Sequence, residues 1–368
     1  MSSPELDLSQ PSDVLEYLAA TPFSSSRVEI LSGGNANFIF RLFLNDPAVV
    51  GAPTAVLKHA KPWSRSNSSF ALAIGRQEIE AFALQRMRPL LDESTPDSIV
   101  TVPKVFLHDS NAHIIIMEDA GENSEPLKAL LRRTSLPAGN LGHLCTDLGR
   151  FLATIHNRGS TDSLLMEKVN QNTQMRGITS WITYDRLLPI LRGEGQYNNL
   201  FSPSLVGPDG LSEADLERMQ ALCSQRSAEI HSAQDVFTMG DFWTGNIICR
   251  VDAQAGAVDK ALVVDWEVTK PGVPFLDFGQ LAAELHTITH FHPERSAEIA
   301  AGLSAYGKAY TAAREATVDE TFVAGAASHV GAHMAVITPT VDGASMGMWC
   351  GYESPWLAGL WVNRDFVG

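Results

Sequence analysis

The segment Met239-Gly240-Asp241-Phe242-Trp243-Thr244-Gly245-Asn246 sets an aspartate and an asparagine five positions apart, between the short apolar runs Phe237 to Met239 and Ile247 to Arg250. Asp265 follows Asn246 by 19 residues, at the end of a second apolar run, Leu262-Val263-Val264-Asp265-Trp266-Glu267. A loop held at both ends by strands can aim its aspartate and asparagine at one site. There the carboxylate accepts the proton of an attacking hydroxyl and the amide oxygen binds Mg²⁺. A strand end can likewise hold Asp265 against a hard cation that prefers oxygen ligands. Either piece alone arises often by chance, so the constraint lies in their combination and in what precedes them.

The chain has 368 residues, enough for roughly two domains at ~150 residues each. Ser12 to Ala20 reads as a short helix with Val14, Leu15 and Leu18 on one face. Val28 to Leu31, Asn37 to Leu44 and Thr54 to His59 read as three strands of a meander, separated by Ser32-Gly33-Gly34-Asn35 and by the turn signals Asn45-Asp46-Pro47 and Gly51-Ala52-Pro53. Arg76 to Met87 has helical spacing, Leu91 to Ser98 reads as a polar loop, and Ile99 to Phe106 and His113 to Met117 as two more strands. Past Gly121 the pattern turns helical, with Leu141 to His156, Leu276 to His290 and Thr321 to Ile337 the clearest cases. Residues 159–210 have no clear pattern.

Two N-terminal features fit a phosphate site. Lys58 ends the run Ala55-Val56-Leu57-Lys58, and the helix after it offers Glu78 and Glu80. At ~100° per residue these two glutamates point to nearly opposite sides, so one pairs with Lys58; Glu80 is expected to, with Glu78 solvated. Glycines in the Ser32-Gly33-Gly34-Asn35 turn let backbone N–H groups approach phosphates, although on its own this is a plain hairpin turn. A glycine turn, a strand lysine, a helix glutamate, a strand ending Met117-Glu118-Asp119, then Asp…Asn and Asp is the order of a protein-kinase-like fold. The expected class is α+β and two-lobed, with a β-rich N-lobe over 1–119 and a mainly helical C-lobe over 120–368.

Leu31-Ser32-Gly33-Gly34, Leu57-Lys58-His59-Ala60, Gly240-Asp241-Phe242-Trp243-Thr244-Gly245-Asn246-Ile247 and Asp265-Trp266-Glu267 resemble the aminoglycoside-phosphotransferase and choline-kinase group of small-molecule kinases, in its methylthioribose-kinase-like branch. The resemblance covers about residues 28 to 290 and is specific to the family, not to a substrate. It implies ATP and Mg²⁺ as cofactors and transfer of the γ-phosphoryl group to a small-molecule hydroxyl. Gly33, Gly34 and Asn35 would cover the phosphates. Lys58 would bind the α/β-phosphates, oriented by Glu80. Glu118 C=O and Ala120 N–H would hold adenine, with Met117 behind the ring. Asp241 would be the catalytic base, and Asn246, Asp265 and Glu267 would hold Mg²⁺. The family usually has a histidine two residues before the catalytic aspartate, where this chain has Met239. The spelling Asp277-Phe278-Gly279 imitates a kinase metal motif, but by resemblance Asp277 braces a helix.

Leu276 follows Asp265 by only 11 positions, too few for a long activation segment, which disfavours a peptide acceptor. The acceptor is expected to be a hydroxylated aromatic amine or a methylthioribose-like sugar, with Trp181, Tyr184, His329 and His333 as candidates to line its pocket. A non-catalytic nucleotide-binding protein of the same fold, or other chemistry on that fold, are the alternatives. The net charge of −15 argues against nucleic acid and anionic membranes, which need a basic face. Thr321 to Val341 is uncharged but rich in small residues, with two histidines and a proline, and reads as a buried helix. Four widely spaced cysteines without a CxxC fit reduced thiols in a cytoplasmic protein. The N-terminus lacks the features of a signal peptide, and a monomer or homodimer is expected.

Overall fold

The computed structural model describes residues 6–31, 34–133, 136–137, 139–197, 205–207 and 210–341. The chain divides into two compact units, Met1–Pro137 with Gly245–Thr269, and Ala138–Thr244 with Lys270–Gly368.

The first unit is built on a five-stranded sheet ordered Ser25–Ile30, Phe38–Leu44, Thr54–His59, Ile114–Glu118, Val105–Asp109, every neighbour antiparallel. Phe40, Leu42 and Leu44 alternate along their strand and are buried, as the period of two along a strand requires. They pack with Leu57, Ile114 and Ile116 and with Val14 and Leu18 of the Pro11–Leu18 helix. The long helix runs Arg76–Ser94, seven residues past the expected Met87. The continuation is driven by Leu91, which is buried in line with Leu84 and Met87, while Asp92 and Glu93 stay exposed. A short hairpin, Trp63–Ser64 with Asn67–Ala71, was not expected; its exposed polar strand Asn67–Ala71 has no alternation to betray it.

A second sheet of this unit is ordered Val100–Thr101, Val258–Val263, Ile247–Val251, Ser124–Pro126. Ile248 pairs with Pro126, and Leu262 with Thr101. These pairings draw the boundary elsewhere than residue 119, because they bring 120–137 and 245–269 into the unit of the N-terminal sheet.

The second unit is mainly helical. Asn140–Thr154 packs on Ser296–Ala313, and Pro274–Phe291 on Glu320–Val341. The segment without a clear pattern forms the helices Ser163–Asn170, Thr173–Ser180 and Leu187–Arg192, with a π-helical turn at Trp181–Asp185. Its apolar residues Tyr184, Leu187, Ile190 and Leu191 enter a core with Leu276, Ala332 and Val336. Among the described residues, no helix is long and apolar enough to cross a membrane. Cys145, Cys223 and Cys249 are buried and unbridged; Cys350 lies outside the described residues.

The crossing of Asn140–Thr154 on Ser296–Ala313 depends on Gly149: a Cβ there would sit 2.4 Å from the Tyr306 carbonyl oxygen. That oxygen is helix backbone and cannot swing aside, so the two helices would have to separate. Gly149→Ala is therefore expected to lower stability by ~1–3 kcal/mol, the range for overpacking; a urea midpoint equal to wild type would contradict this.

Candidate active site

Lys58, one residue before the end of its strand, is buried, and its ammonium is met from two other parts of the first unit. Glu80 Oε1 of the Arg76–Ser94 helix lies 2.8 Å from Lys58 Nζ, and Asp265 Oδ1 lies 2.5 Å away. Glu80 is 0% exposed while Glu78 faces solvent, as the helical spacing predicts. Burial works against the Lys58 charge, but Asp265, Glu80 and Glu267 more than offset it and raise its pKa above the usual lysine value. Burial raises the Glu80 pKa, opposed by Lys58 and reinforced by Asp265 and Glu267.

One oxygen from each of Glu80, Asp265 and Glu267 lies within 4.8 Å of the others. Against these three carboxylates stand Lys58 and Arg76, which leaves the cluster one negative charge in excess. Glu267 also has partners on its far side. Its Oε2 accepts from Arg76 Nε at 2.9 Å and from Asn37 Nδ2 at 2.8 Å, and Arg76 Nη2 also donates to Asn37 Oδ1 at 2.9 Å. Arg76 thus ties the strand end to the exit of the glycine turn.

A cavity of about 350 Å³ opens beside the cluster. Lys58, Glu80, Asn246 and Asp265 lie on its wall, with Gly34 and Leu31 from the turn, Met117, Glu118 and Ala120 from the far strand, and Ile248 and Leu262 from the second sheet. Gly34 is required by close approach, since a Cβ there would lie 2.9 Å from Ile39 Cδ1 and 3.1 Å from the Asn37 carbonyl. Asn35 is not on the wall; its carbonyl accepts from the Ser64 hydroxyl at 2.8 Å and from Ser66 N–H at 2.9 Å, which fastens the turn to the 63–71 hairpin. Gly33 lies outside the described residues.

Asp265 has φ +68°, a left-handed backbone that few non-glycine residues adopt and that is concentrated at functional sites. Its side chain stays 31% exposed although Lys58 is buried. A hard cation suits this donor set: the Asp265 carboxylate and the Asn246 side chain lie on one cavity wall, beside an excess of negative charge. Glu267, engaged by Arg76 and Asn37, is a strut for that wall.

The strand end Met117-Glu118-Asp119 is fixed by charges. Arg41 donates to both Asp119 carboxylate oxygens, at 2.6 and 3.0 Å, and to the Gly121 carbonyl at 2.9 Å. The Glu118 carboxylate takes Arg88 and Lys260, which hold its pKa below the usual value against its burial.

In the second unit, the segment carrying Asp241 is pinned from the Pro274–Phe291 helix. Asp277 accepts from Met239 N–H and Gly240 N–H, both at 2.8 Å. Gln280 Nε2 donates to Asp241 Oδ1 at 2.9 Å, and the Thr244 hydroxyl donates to Glu284 Oε2 at 2.9 Å. Asp277 is thus tied into the protein, but what it braces is the 239–240 backbone and not the helix expected. The absent histidine at position 239 is answered elsewhere: His156 Nε2 lies 3.2 Å from Asp277 Oδ2, and its Nδ1 lies 2.9 Å from the Tyr310 hydroxyl. Lys270 is buried within electrostatic reach of Asp277 and Asp241; burial pushes its pKa down to about 8, although the two carboxylates oppose the fall.

Of the residues considered for an acceptor pocket, Tyr184 is core, its hydroxyl 2.9 Å from His329 Nδ1. Trp181 is 45% exposed with the Arg186 guanidinium 5.3 Å from its ring centre. His333 Nε2 lies 2.8 Å from Glu284 Oε1. Sequence reasoning missed Arg41, Arg76, Lys270, Gln280 and Glu284. A signal existed for the first, a lone charge inside the apolar run Phe38-Ile39-Phe40-Arg41-Leu42-Phe43-Leu44.

Residues 63–316 match the family model described as the phosphotransferase enzyme family. The chain belongs to this family and is by class a small-molecule kinase. Among curated proteins it is similar to a 4-hydroxytryptamine kinase of Psilocybe cubensis, 26% identical over 298 residues (78% of this chain, 76% of the relative), and to one of Psilocybe cyanescens, 25% identical over 294 residues with the same coverage. Its fold is similar to that of an amicoumacin kinase solved with AMP-PNP and Ca²⁺, at TM-score 0.54 and 12% identity, covering 95% of this chain and 92% of the other. It is also similar in fold to a choline/ethanolamine kinase family protein of Mesorhizobium loti, at TM-score 0.51 and 13% identity, covering 97% and 96%. The kinase-like α+β fold expected from the motif order is the fold observed.

The buried histidines of the second unit make stability depend on pH. Burial, aided by His333, pushes His329 from the ordinary 6.5 down to about 3, and burial outweighs Asp277 in lowering His156. Below pH 6.5 the unfolded chain binds protons at these positions that the folded chain refuses, so stability is lost as pH falls from 6.5 toward 3. Each such histidine contributes up to ~1.4 kcal/mol per pH unit. The urea midpoint should therefore fall further between pH 7 and pH 5 in the wild type than in a His329→Phe variant, a comparison in which the opposing gain from Glu80 cancels; equal falls would sink the assignment of His329 as buried and neutral.

Proposed function

We propose that this kinase transfers the γ-phosphoryl group of ATP to a hydroxyl group of a small molecule. The observation that carries the reading is the buried Lys58 ammonium held between Glu80 and Asp265 on the wall of a cavity with a glycine turn at one side and the Met117–Ala120 strand end at the other. Gly34, with Gly33 before it, brings backbone close to the phosphates. Lys58 meets the α/β-phosphates, and Glu80 keeps its ammonium aimed. Glu118 C=O and Ala120 N–H hold the adenine edge, with Met117 behind the ring. Asn246 and Asp265 would hold Mg²⁺, which when bound neutralises charge on the β- and γ-phosphates. Asp241 takes the proton of the acceptor hydroxyl as the new O–P bond forms and the bond from Pγ to the β-phosphate oxygen breaks, releasing ADP. Most of the rate enhancement comes from positioning and charge.

For the acceptor, we favour a hydroxylated aromatic amine over a methylthioribose-like sugar. The support is that two curated relatives carry the name 4-hydroxytryptamine kinase. The net charge of −15 also does not repel an ammonium.

Asp241→Asn should cut phosphoryl transfer by ~10²–10⁴-fold, the usual contribution of such a base, with nucleotide binding nearly intact; a variant keeping most of the wild-type kcat would remove Asp241 from its role. Asp265→Ala should lose the thermal shift given by MgATP, whereas Asp277→Asn should keep it. The reverse result would make Asp277 the metal ligand. Side-by-side ADP release with 4-hydroxytryptamine, methylthioribose, choline and an aminoglycoside tests the acceptor, with turnover of the indole expected. Turnover of the sugar alone refutes the aromatic amine.

A further inference from the structure

Asp277, Gln280 and Glu284 stand at i, i+3 and i+7 of the Pro274–Phe291 helix, which at about 100° per residue places them on one face. They meet successive parts of the 239–244 segment in the same order. Asp277 accepts from the backbone at Met239 and Gly240, Gln280 donates to the Asp241 carboxylate, and Glu284 accepts from the Thr244 hydroxyl. The first and last contacts fix the two ends of the segment. The rotamer of Glu284 is itself held by His333 of the Glu320–Val341 helix at 2.8 Å. With the ends fixed, the side-chain torsions of Asp241 remain to be set, and the middle contact acts on that side chain.

We infer that Gln280 is a positioning residue for Asp241: its amide N–H holds Oδ1 and so sets the plane in which the carboxylate meets the acceptor hydroxyl. The inference rests on Asp241 being the group that takes the hydroxyl proton. An amide suits the position for chemical reasons. It is neutral at every pH, so it neither competes as a base nor removes the Asp241 proton. Donating to the ionised carboxylate favours the form able to accept a proton. Length matters too, because Gln280 reaches Asp241 from a helix that the Asp277 and Glu284 contacts already hold in register.

The test uses Gln280→Met, which keeps the length of the side chain and removes the donor, and Gln280→Glu, which keeps the shape and sets a carboxylate against Asp241. ADP release is measured from MgATP with 4-hydroxytryptamine as acceptor, or with water where that acceptor is not turned over. Loss of a hydrogen bond to a charged group predicts a kcat about 10-fold lower in Gln280→Met. Gln280→Glu should fall further. KM for MgATP and the urea midpoint should stay near wild type in Gln280→Met. The double variant with Asp241→Asn should be no slower than Asp241→Asn alone, because a residue acting through Asp241 has nothing left to act on. Wild-type kcat in Gln280→Met overturns the inference, as does an equal further loss of rate in the Asp241→Asn background. If Asp241→Asn is itself fully active, the reading of Asp241 fails first; a silent Gln280→Met with an essential Asp241 defeats the role of Gln280 alone.

Discussion

An ammonium group taken wholly out of water has to be answered by charge, and Lys58 is answered by carboxylates from two separate stretches of chain. Glu80 comes from a helix 22 positions away in sequence and Asp265 from a strand end 207 positions away. Strand, helix and strand end must therefore hold one mutual arrangement before the charge is tolerable. Removing one member of such a buried set typically costs ~3–5 kcal/mol, yet replacing the whole set by apolar residues is often neutral. Stability alone gives no reason to keep it, whereas the proposed binding of a triphosphate would. The exposed edge of Asp265 and its left-handed backbone are the part of the arrangement left open to a ligand.

The second unit solves a different problem, that of holding a loop still without a histidine next to its aspartate. Met239 is buried and uses its backbone N–H, bonded to Asp277. His156 and Tyr310 then fix Asp277 from behind. An imidazole thus stands one layer behind the segment, bonded to the residue that holds it.

That Lys58, Glu80, Asn246 and Asp265 share one cavity was legible from the order of the motifs and their resemblance to the family, and helical periodicity chose Glu80 over Glu78. Glu267 was legible as a carboxylate but not as a strut. Its partner Arg76 stands 191 positions earlier, at the start of a helix where an arginine has no local signal. Gln280 and Glu284 were invisible for a related reason: polar residues on a helix face look solvated until the segment they hold is known. In the stretch 159–210, the π-helical turn at Trp181–Asp185 breaks the 3.6-residue period on which the eye relies, so Tyr184 looked available to a ligand when it is core. The end of the Arg76–Ser94 helix was misjudged because the polar residues after Leu91 outweighed one buried leucine.

The return of residues 245–269 to the first unit has a consequence for how this chain can be divided. A fragment stopping at Pro137 has neither Ile247–Val251 nor Val258–Val263, so Ser124–Pro126 and Val100–Thr101 are left as unpaired edges and Lys58 loses Asp265. A fragment starting at Ala138 carries those two strands as a bare pair, without Val100–Thr101 and Ser124–Pro126 to flank them. Neither half is a heritable cassette: gene fusion or recombination at a single junction cannot exchange one unit for that of a relative. The cavity wall and the segment bearing Asp241 are bound to descend together, because the chain passes between the units three times, after Pro137, Thr244 and Thr269.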